Sequence, residues 1–356
     1  MSENGSIVLF LGAGASACES FPTVLHFFEQ VEFPSGAQAR GYEKSCMELA
    51  RLISIMEGTS EHSMWPIFDA EKLWGHLELL VNSSRLMNSP HFLAGFTHSF
   101  EELLTFLKQE IIRIYGRSIA AAQTEARSHR NLLTLLDKMI PRDQPLSIYT
   151  TNYDTVIEDS MRSPSLLPKD FGTDARLCTG FTEGNPGRWN PQLFDARSSS
   201  GTRQVHLFKL HGSIIWKWDR TSAHPEPVEM NWRHGAGDKD CLLYFGYKSV
   251  PETDPFRTLH NKFKDSLVRA STVVVIGFQF ADPYIRETFD FALRANQELR
   301  LICCLKQMPS PNTPLANLMH TFADRVQILT GVDDKPIAFG EDRFPHALTA
   351  ALLASG

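Results

Sequence analysis

The sequence has 356 residues, of which 42% are hydrophobic and 21% are charged, a composition typical of a globular protein with an ample interior. No apolar run approaches the roughly 20 residues that span a bilayer, which argues against a membrane protein. The net charge of −6 argues against direct binding to nucleic acid.

The six cysteines are scattered and form no CxxC pair, so we expect a reduced, cytoplasmic protein. Residues 1–7 contain no basic segment followed by an apolar stretch, so we expect no secretory signal. These properties leave a cytoplasmic enzyme or a binding domain as the expectation.

Seven short apolar runs, rich in β-branched residues, predict buried strands. Continuous apolar runs, rather than alternating ones, are typical of a parallel sheet covered on both faces. Helical patterns separate most of the runs, and this alternation predicts an α/β fold with a Rossmann-like parallel sheet. The predicted strands are Ser6–Leu11, Leu146–Thr150, 205–210, 241–245, 272–276, 300–305 and Val326–Leu329.

The long segment between the first two predicted strands reads almost wholly as helix. A βα crossover needs only about a dozen residues or slightly more, so this segment predicts a large inserted helical subdomain. The candidate helices are 43–56, 70–81, Phe100–Tyr115 and 119–139.

Two later stretches, 163–202 and 221–240, are rich in loop-forming residues and predict irregular structure. A last amphipathic helix is predicted at 345–353. We therefore expect one domain over residues 1–356. Its Rossmann-like core comprises 1–30 and 140–340, and the helical insert comprises 31–139.

A glycine-rich loop follows the first predicted strand directly and matches the pattern G-x-G-x-x-[G/A]. Glycine allows a tight turn and a close approach of the backbone to a pyrophosphate, and a serine hydroxyl adds a donor. A tight turn in an unrelated α/β protein is the alternative. No clear ribose-binding acid follows about 20 residues later, which weakens a dehydrogenase interpretation. The candidate nucleotide-binding residues here are Gly12, Ala13, Gly14 and Ser16.

Polar side chains follow the second and third predicted strands. Thr151, Asn152 and Asp154 come after one strand, and His211 comes after the next. Ligands of open α/β sheets lie beyond the carboxyl ends of the strands, so these side chains are candidates for one site. Asn152 can fix a ribose hydroxyl or a water, and a histidine can act as a base near neutral pH. Taken singly, a helix N-cap and a turn histidine are the alternatives.

The strand predicted at 272–276 runs into a similar polar turn. Gly277 would let the backbone approach a nucleotide, and Gln279 could bond a ribose or a phosphate. Asp282 precedes Pro283, so it is equally a candidate helix N-cap with proline at the first helical position.

Together, these four segments resemble the Sir2 family, in the same order and strand contexts. More closely, they resemble the SIR2-like NADases of bacterial antiphage defence, in which a GF/GYS-F-x-DP segment is typical. The resemblance covers roughly residues 1–30 and 140–330 and implies a single SIR2-like domain of sirtuin type. Its motifs are Gly12-Ala13-Gly14-Ala15-Ser16, Thr150-Thr151-Asn152-Tyr153-Asp154, Lys209-Leu210-His211-Gly212 and Ile276-Gly277-Phe278-Gln279-Phe280-Ala281-Asp282.

The sequence departs from the sirtuin deacylases at identifiable positions. It lacks the two CxxC pairs of their zinc ribbon, Thr151 replaces glutamine, and Gln279 stands where serine is usual. These departures point away from deacylation, and no metal is expected. The resemblance instead implies that NAD is a substrate, cleaved at the nicotinamide–ribose bond to give nicotinamide and ADP-ribose.

In the mechanism that the resemblance implies, Asn152 positions the ribose or the attacking water, Asp154 supports it, and His211 takes a proton. The family also implies a homo-oligomer and an activating partner, such as a HerA-type ATPase or a short Argonaute. The apolar stretch 100–107 either packs protomers together or forms the core of the insert, and the core is favoured.

Two other functions remain open. One is an NAD-dependent protein deacylase or ADP-ribosyltransferase that uses the same site, and the missing CxxC pairs count against it. The other is a non-catalytic module that senses NAD or ADP-ribose, for which tight binding without turnover is expected.

Overall fold

A computed structural model describes most of the chain. The described residues are 6–19, 21–34, 40–58, 65, 68–86, 98–116, 127–162, 175–195, 203–221, 225–230, 241–244, 252–332, 335–336, 339, 341 and 343–355.

A seven-stranded parallel sheet forms the centre of the molecule, and it confirms the predicted α/β class with a Rossmann-like sheet. Its β-branched and aliphatic side chains are buried on both faces, which the continuous apolar runs predicted. The strands are β1 (Ser6–Leu11), β2 (Leu146–Thr150), β3 (Arg176–Cys178), β5 (Gln204–Lys209), β9 (Ala270–Ile276), β10 (Arg300–Cys304) and β11 (Val326–Leu329). Their order in space is β11-β10-β9-β1-β2-β5-β3.

One predicted strand of the parallel sheet was wrong. The run predicted at 241–245 forms Cys241–Leu243, which belongs to a separate antiparallel sheet, and residue 245 lies outside the described residues. Its apolar run reflects burial against the main core, and burial does not distinguish the two sheets. The antiparallel sheet consists of β4 (Gly187–Arg188), β6 (Gly212–Asp219), β7 (Glu226–Glu229) and β8 (Cys241–Leu243), in the spatial order β4-β7-β6-β8.

The stretch predicted as irregular at 163–202 contains regular structure in its described part. Strand β3 pairs in parallel with β5 at the edge of the main sheet, and Pro191–Asp195 forms a 3-10 helix. With three residues and an exposed arginine at its start, β3 has no apolar run that would predict it. A short hairpin pairs β12 (Gly331–Val332) with β13 (Lys335–Pro336).

Helices cover both faces of the parallel sheet, and several begin at clear capping signals. Ser99 and Glu102 form a capping box, and Thr313 caps a helix that has Pro314 at its start. None of the described helices is both long and apolar enough to cross a membrane. The α-helices are Ala13–Ser16, Arg40–Glu57, Ala70–Leu86, Phe100–Tyr115, Arg127–Met139, Val156–Arg162, Phe256–Arg269, Pro283–Ala295, Pro314–Thr321 and Phe344–Ser355.

The two faces of the sheet bury separate apolar clusters. On one face, Phe10 of β1 shares a core with Trp74 and Leu103 of the helical segment, and with helices Phe256–Arg269 and Pro283–Ala295. On the other face, Arg127–Met139 packs with Val156–Arg162 and Phe344–Ser355. The apolar side chains predicted either to pack protomers or to form the core are buried in the first cluster: Phe100, Leu103, Leu104, Phe106 and Leu107.

The strand order reverses between β1 and β9. From β1 the chain proceeds through β2 to β5 on one side, and it later returns to β9 on the other side. In open α/β sheets, the crevice at such a reversal is where ligands bind. The turns after β1 and β9 are therefore the natural place to look for a site.

Candidate functional site

The glycine loop after β1 lies against the turn after β9. The Gly12 amide donates to the Ile276 carbonyl at 2.9 Å, and the Gly14 amide donates to the Gly277 carbonyl at 3.0 Å. The two turns therefore form one hydrogen-bonded unit at the reversal of strand order. Glycine serves here for the contact between two backbones as well as for any approach to a ligand.

The close contact explains why Gly277 has no side chain. Its φ is +66°, a left-handed conformation that L side chains rarely adopt, and a Cβ there would lie 2.3 Å from the Ala15 nitrogen. A Cβ on Gly14 would in turn lie 2.8 Å from the Gly277 Cα. Each glycine makes room for the other.

Asn152 connects the turn after β2 to the glycine loop. Its side-chain nitrogen donates to the Gly12 carbonyl at 3.0 Å and to the Ser16 hydroxyl at 2.9 Å. These two bonds fix the amide, so its orientation is defined by its neighbours. The Asn152 Oδ1 atom is buried, and none of the described residues gives it a hydrogen bond. That oxygen is an acceptor held in place and available to a ligand or a water.

Asp154 lies on the other side of the same turn. Its Oδ1 accepts from the Val156 amide at 3.0 Å, at the start of helix Val156–Arg162. Its backbone carbonyl accepts from the Lys209 ammonium, which also pairs with Glu158 at 3.0 Å. All three side chains are buried and line a small cavity together with Ser16 and Asn152. Asp154 thus holds the shape of the turn that carries Asn152.

His211 is placed by a sharp turn between the two sheets. The chain leaves β5 at Lys209 and enters β6 at Gly212, whose φ is +84°. A Cβ on Gly212 would lie 2.2 Å from the Leu242 carbonyl, so the turn requires glycine. The His211 side chain is left buried, with about 1% exposed, at the carboxyl end of β5.

Two carboxylates face the two ring nitrogens of His211. Asp282 Oδ2 lies 3.0 Å from Nε2, and Glu71 Oε1 lies 3.4 Å from Nδ1. Burial acts to lower the pKa of this imidazole, but the contacts with the two carboxylates outweigh burial and raise the pKa to about 9. At neutral pH, His211 is therefore a buried imidazolium between two acidic groups.

The two carboxylate oxygens of Asp282 make different contacts. Oδ1 accepts from the Ile285 amide at 2.9 Å and caps helix Pro283–Ala295, which has proline in its first turn. Oδ2 is turned toward His211. The N-cap alternative raised by the sequence is thus correct, and the same side chain also belongs to the histidine cluster.

A second buried histidine, His260, lies near the first one. Its Nε2 is 3.1 Å from the Leu210 carbonyl, which requires the proton on Nε2 and leaves Nδ1 as an acceptor. Burial, and next the charge of His211, lower the pKa of His260 to about 4. The two neighbouring histidines therefore carry opposite protonation states at neutral pH.

The structure brings the predicted residues into two adjacent groups. Asn152, Ser16 and the glycine loop form one, and His211 with Asp282 forms the other. Tyr153 joins them, since it follows Asn152 in the turn and its ring lies 6.3 Å from that of His211.

The remaining predicted residues have different surroundings. The Thr151 side chain is buried, and its amide donates to the Leu11 carbonyl at 3.3 Å. Gln279 is exposed on the turn after β9. Within the described ranges, no group of three or more His, Cys, Asp or Glu side chains is arranged to hold a metal ion.

Sequence reasoning missed three members of the histidine cluster. Glu71 lies in the first turn of helix Ala70–Leu86, far from every motif, and no pattern in the sequence connects it to His211. His260 lies on the buried side of an amphipathic helix, where it resembles an ordinary core residue. Tyr153 lies between Asn152 and Asp154, so its position in the motif was a signal that could have been used.

Comparison with known proteins assigns part of the chain to a family model. Residues 146–318 match the model described as SIR2-like domain. This range includes Asn152, Asp154, His211 and Asp282, whereas the glycine loop and Glu71 lie before it.

Individual relatives are more distant. The urease accessory protein UreD of Synechocystis sp. (strain ATCC 27184 / PCC 6803 / Kazusa) is 34% identical over 100 residues, which cover 25% of this chain. The match spans 36% of UreD, about a third of that relative's length.

Similar solved structures include complexes of Sir2 homologues. One, a mutant with 2'-O-acetyl ADP ribose, is 12% identical, with a TM-score of 0.43 and coverage of 98% of this chain and 93% of the other. A Sir2 homolog–NAD complex is 13% identical, with a TM-score of 0.40 and coverage of 98% and 90%.

Proposed function

We propose that this protein is an NAD hydrolase that cleaves the nicotinamide–ribose bond and releases nicotinamide and ADP-ribose. The SIR2-like match over residues 146–318 favours an enzyme that uses NAD. The reversal of strand order between β1 and β9, with the glycine loop at its edge, is the expected place for a dinucleotide. The sequence motifs lie around the same edge.

The buried Oδ1 of Asn152 is the observation that carries the proposal. Both amide hydrogens are directed to Gly12 and Ser16, so only the oxygen is left to meet a ligand. It has no partner within the described parts of the chain. A buried acceptor in that state suits a donor brought by the substrate, such as a ribose hydroxyl, or the attacking water. Asp154 supports this arrangement by fixing the turn.

The remaining predicted residues are assigned to binding. We infer that Gly12, Ala13, Gly14 and Ser16 hold the pyrophosphate, and that Thr151, Gly277, Gln279 and Asp282 line the nucleotide. NAD is the substrate, and the reaction uses no metal.

His211 is the proposed proton acceptor, for a proton from a ribose hydroxyl or from water. Because its pKa is raised to about 9, the imidazole must first lose a proton before it can act as a base. The deprotonated fraction increases with pH, so kcat/KM is expected to rise as the pH approaches 9. A flat profile from pH 6 to 9 would contradict the role of His211 as base.

Cleavage of NAD by an unregulated enzyme would harm its own cell, so we propose that the activity is held off until a trigger arrives. The proposed role is NAD depletion in antiphage defence by a cytoplasmic homo-oligomer. A HerA-type ATPase or a short Argonaute is the proposed class of activating partner.

The test is release of nicotinamide and ADP-ribose from NAD by the purified protein, resolved by chromatography. We expect turnover by wild type, alone or with a candidate activating partner added, and a loss of roughly 100-fold or more in Asn152→Ala and in His211→Ala under the same conditions. The matched controls are Asn317→Ala and His320→Ala, two exposed residues of helix Pro314–Thr321, and both should retain wild-type turnover.

The outcomes separate the proposed hydrolase from its rivals. Near-wild-type turnover in both site variants would overturn the residue assignment. Tight binding of NAD in calorimetry would favour a sensing module if turnover stays absent after candidate partners have been added. Cleavage only in the presence of an acylated peptide or another protein acceptor would favour a deacylase or a transferase.

A further inference from the structure

Glu71 reaches the histidine cluster from outside the matched SIR2-like segment. It lies in the first turn of helix Ala70–Leu86, and Asp69 caps that turn by accepting from the Glu71 amide at 2.9 Å and the Lys72 amide at 3.2 Å. An acidic side chain in the first turn is also favoured by the helix dipole. The helix thus begins where its first carboxylate meets His211.

The Glu71 carboxylate is fixed between two groups of the site. Its Oε1 accepts from the Tyr153 hydroxyl at 3.0 Å and lies 3.4 Å from His211 Nδ1. One turn further along the helix, the buried ring of Trp74 packs edge-on against Tyr153 at 6.1 Å. The side chain of Glu71 is only 17% exposed, so little solvent is present to screen its charge.

Several elements besides this helix bring titratable groups to His211. These groups are Asp282 at the start of helix Pro283–Ala295, Tyr153 after β2, Tyr244 after β8 and His260 on helix Phe256–Arg269. Of these, Asp282 is the other acidic side chain that contacts the ring. Glu71 is therefore one of two carboxylates that set the charge of the imidazole.

The two carboxylates occupy different positions relative to the sheet. Asp282 follows β9, beside the glycine loop, and faces Nε2 from the edge where the dinucleotide is proposed to bind. Glu71 faces Nδ1 from the helical segment. A carboxylate on Nδ1 fixes the orientation of the imidazole, and here it keeps Nε2 directed at Asp282 and at that edge.

We propose that Glu71 is a positioning residue for the reaction: its carboxylate, anchored by Tyr153, holds Nδ1 of His211 so that Nε2 stays directed at Asp282 and at the edge where the dinucleotide is proposed to bind. This inference rests on the proposed NAD cleavage and adds a residue of the helical segment to that site. The helical segment is then part of the machinery, because it supplies the group that orients the proposed base.

The first arm of the test measures His211 directly and does not depend on activity. Histidine ring signals are titrated by NMR in wild type and in Glu71→Gln, and His211 is assigned among the 13 histidines from its loss in His211→Gln. Glutamine keeps an acceptor for the Tyr153 hydroxyl but removes the charge. We expect the pKa of His211 to fall by about one unit or more in Glu71→Gln.

The second arm measures the pH dependence of NAD cleavage. Since kcat/KM reports the free enzyme, its rise with pH should move to lower pH in Glu71→Gln by the same amount as the NMR titration. We also expect a lower plateau, because the imidazole is less firmly oriented. Glu71→Asp, which keeps the charge but shortens the side chain, should give a smaller shift in pKa.

Matched variants separate a local contact from a general effect of charge. Glu48→Gln removes the same charge from a partly exposed position on helix Arg40–Glu57, where Glu48 pairs with Arg51, and it should leave both titrations unchanged. Tyr153→Phe keeps the Glu71 charge and should shift the pKa of His211 less than Glu71→Gln does.

The two arms also distinguish this inference from the proposed function. An unchanged pKa of His211 in folded Glu71→Gln overturns the inference, whatever the activity. If Glu71→Gln shifts the pKa of His211 but the wild type does not cleave NAD even with candidate partners added, the contact between Glu71 and His211 is supported and the hydrolase is overturned. Matching shifts in both arms support both.

Discussion

Asn152 and Asp282 each use one polar side-chain atom to stabilise the fold and keep another for the candidate site. Asn152 uses its nitrogen to hold the glycine loop, and Asp282 uses one oxygen to cap a helix. The other oxygen of each is left for the site: Asn152 Oδ1 has no hydrogen-bond partner among the described residues, and Asp282 Oδ2 faces His211. Because such a residue has a structural role as well, a capping or turn signal in the sequence does not argue against a functional role.

The charged state of His211 and the neutral state of His260 predict how stability depends on pH. The pKa of His211 is raised from 6.5 to about 9, so its contribution to the free energy of unfolding is complete below pH 6.5 and is lost as the pH rises to 9. The loss is on the order of 3 kcal/mol. The pKa values of His206 and His260 are lowered to about 4, so the protein also loses stability as the pH falls from 6.5 toward 4.

Urea unfolding at pH 5, 7 and 9 should therefore give the highest free energy of unfolding near the middle of the range. In His211→Gln, the alkaline loss should largely disappear and the acidic loss should remain. A wild-type free energy that is constant between pH 7 and 9 would show that His211 is not held as an imidazolium.

The sequence predicts a site residue when that residue lies close to the end of a strand. Asn152 and His211 each lie two residues after the end of an apolar strand. Residues that follow parallel strands lie together at one edge of the sheet. Glu71 comes from a helix packed over that edge, and the register of the packing is set by tertiary contacts such as Trp74 against Tyr153. No local sequence pattern predicts the register of this packing.

At the scale of elements, the turns after β1 and β9 act as one unit because their backbones touch. Gly277→Ala should destabilise the protein for two reasons, the left-handed φ and the overlap with Ala15. Gly58 provides a matched control, since its φ is +67° and a Cβ added there would meet nothing within 4 Å. Gly58→Ala isolates the conformational effect.

We expect Gly58→Ala to lower the free energy of unfolding by about 1 kcal/mol and Gly277→Ala to lower it by roughly 1–3 kcal/mol more. Chemical denaturation of the two variants beside wild type measures the difference. Equal losses would mean that the turns separate easily to admit a side chain.

The sequence predicted the bounds of three strands of the parallel sheet to the residue. β1 and β2 lie in the middle of the sheet, where both faces are covered and the runs are apolar. The edge strand β11 also agrees with its predicted bounds. β3 lies at the edge with three residues, and β6 begins at Gly212, the last residue of a motif, so neither has that pattern. Helix Ala70–Leu86 extends five residues beyond the predicted end at 81, through the mainly polar segment 82–86.

At the scale of the whole molecule, the helical segment and the sheet share one apolar core. Phe10 of β1 belongs to the same buried cluster as Trp74 and Leu103, and Tyr115 lies against Tyr153 at 6.2 Å. The described helices of the segment therefore have no separate core in which to fold alone. We expect one cooperative thermal transition, with equal calorimetric and van't Hoff enthalpies. Two resolved transitions in calorimetry would indicate that the helical segment unfolds independently.

The central position of β1 also has a consequence for synthesis of the chain. Its neighbour β9 ends about 265 residues later, so at 5–20 residues per second the ribosome needs about 13–50 s to supply that partner. Until then, one side of β1 is unpaired, and the contact between the Gly14 amide and the Gly277 carbonyl does not exist. A nascent chain therefore lacks the complete edge at the reversal of strand order until β9 has emerged.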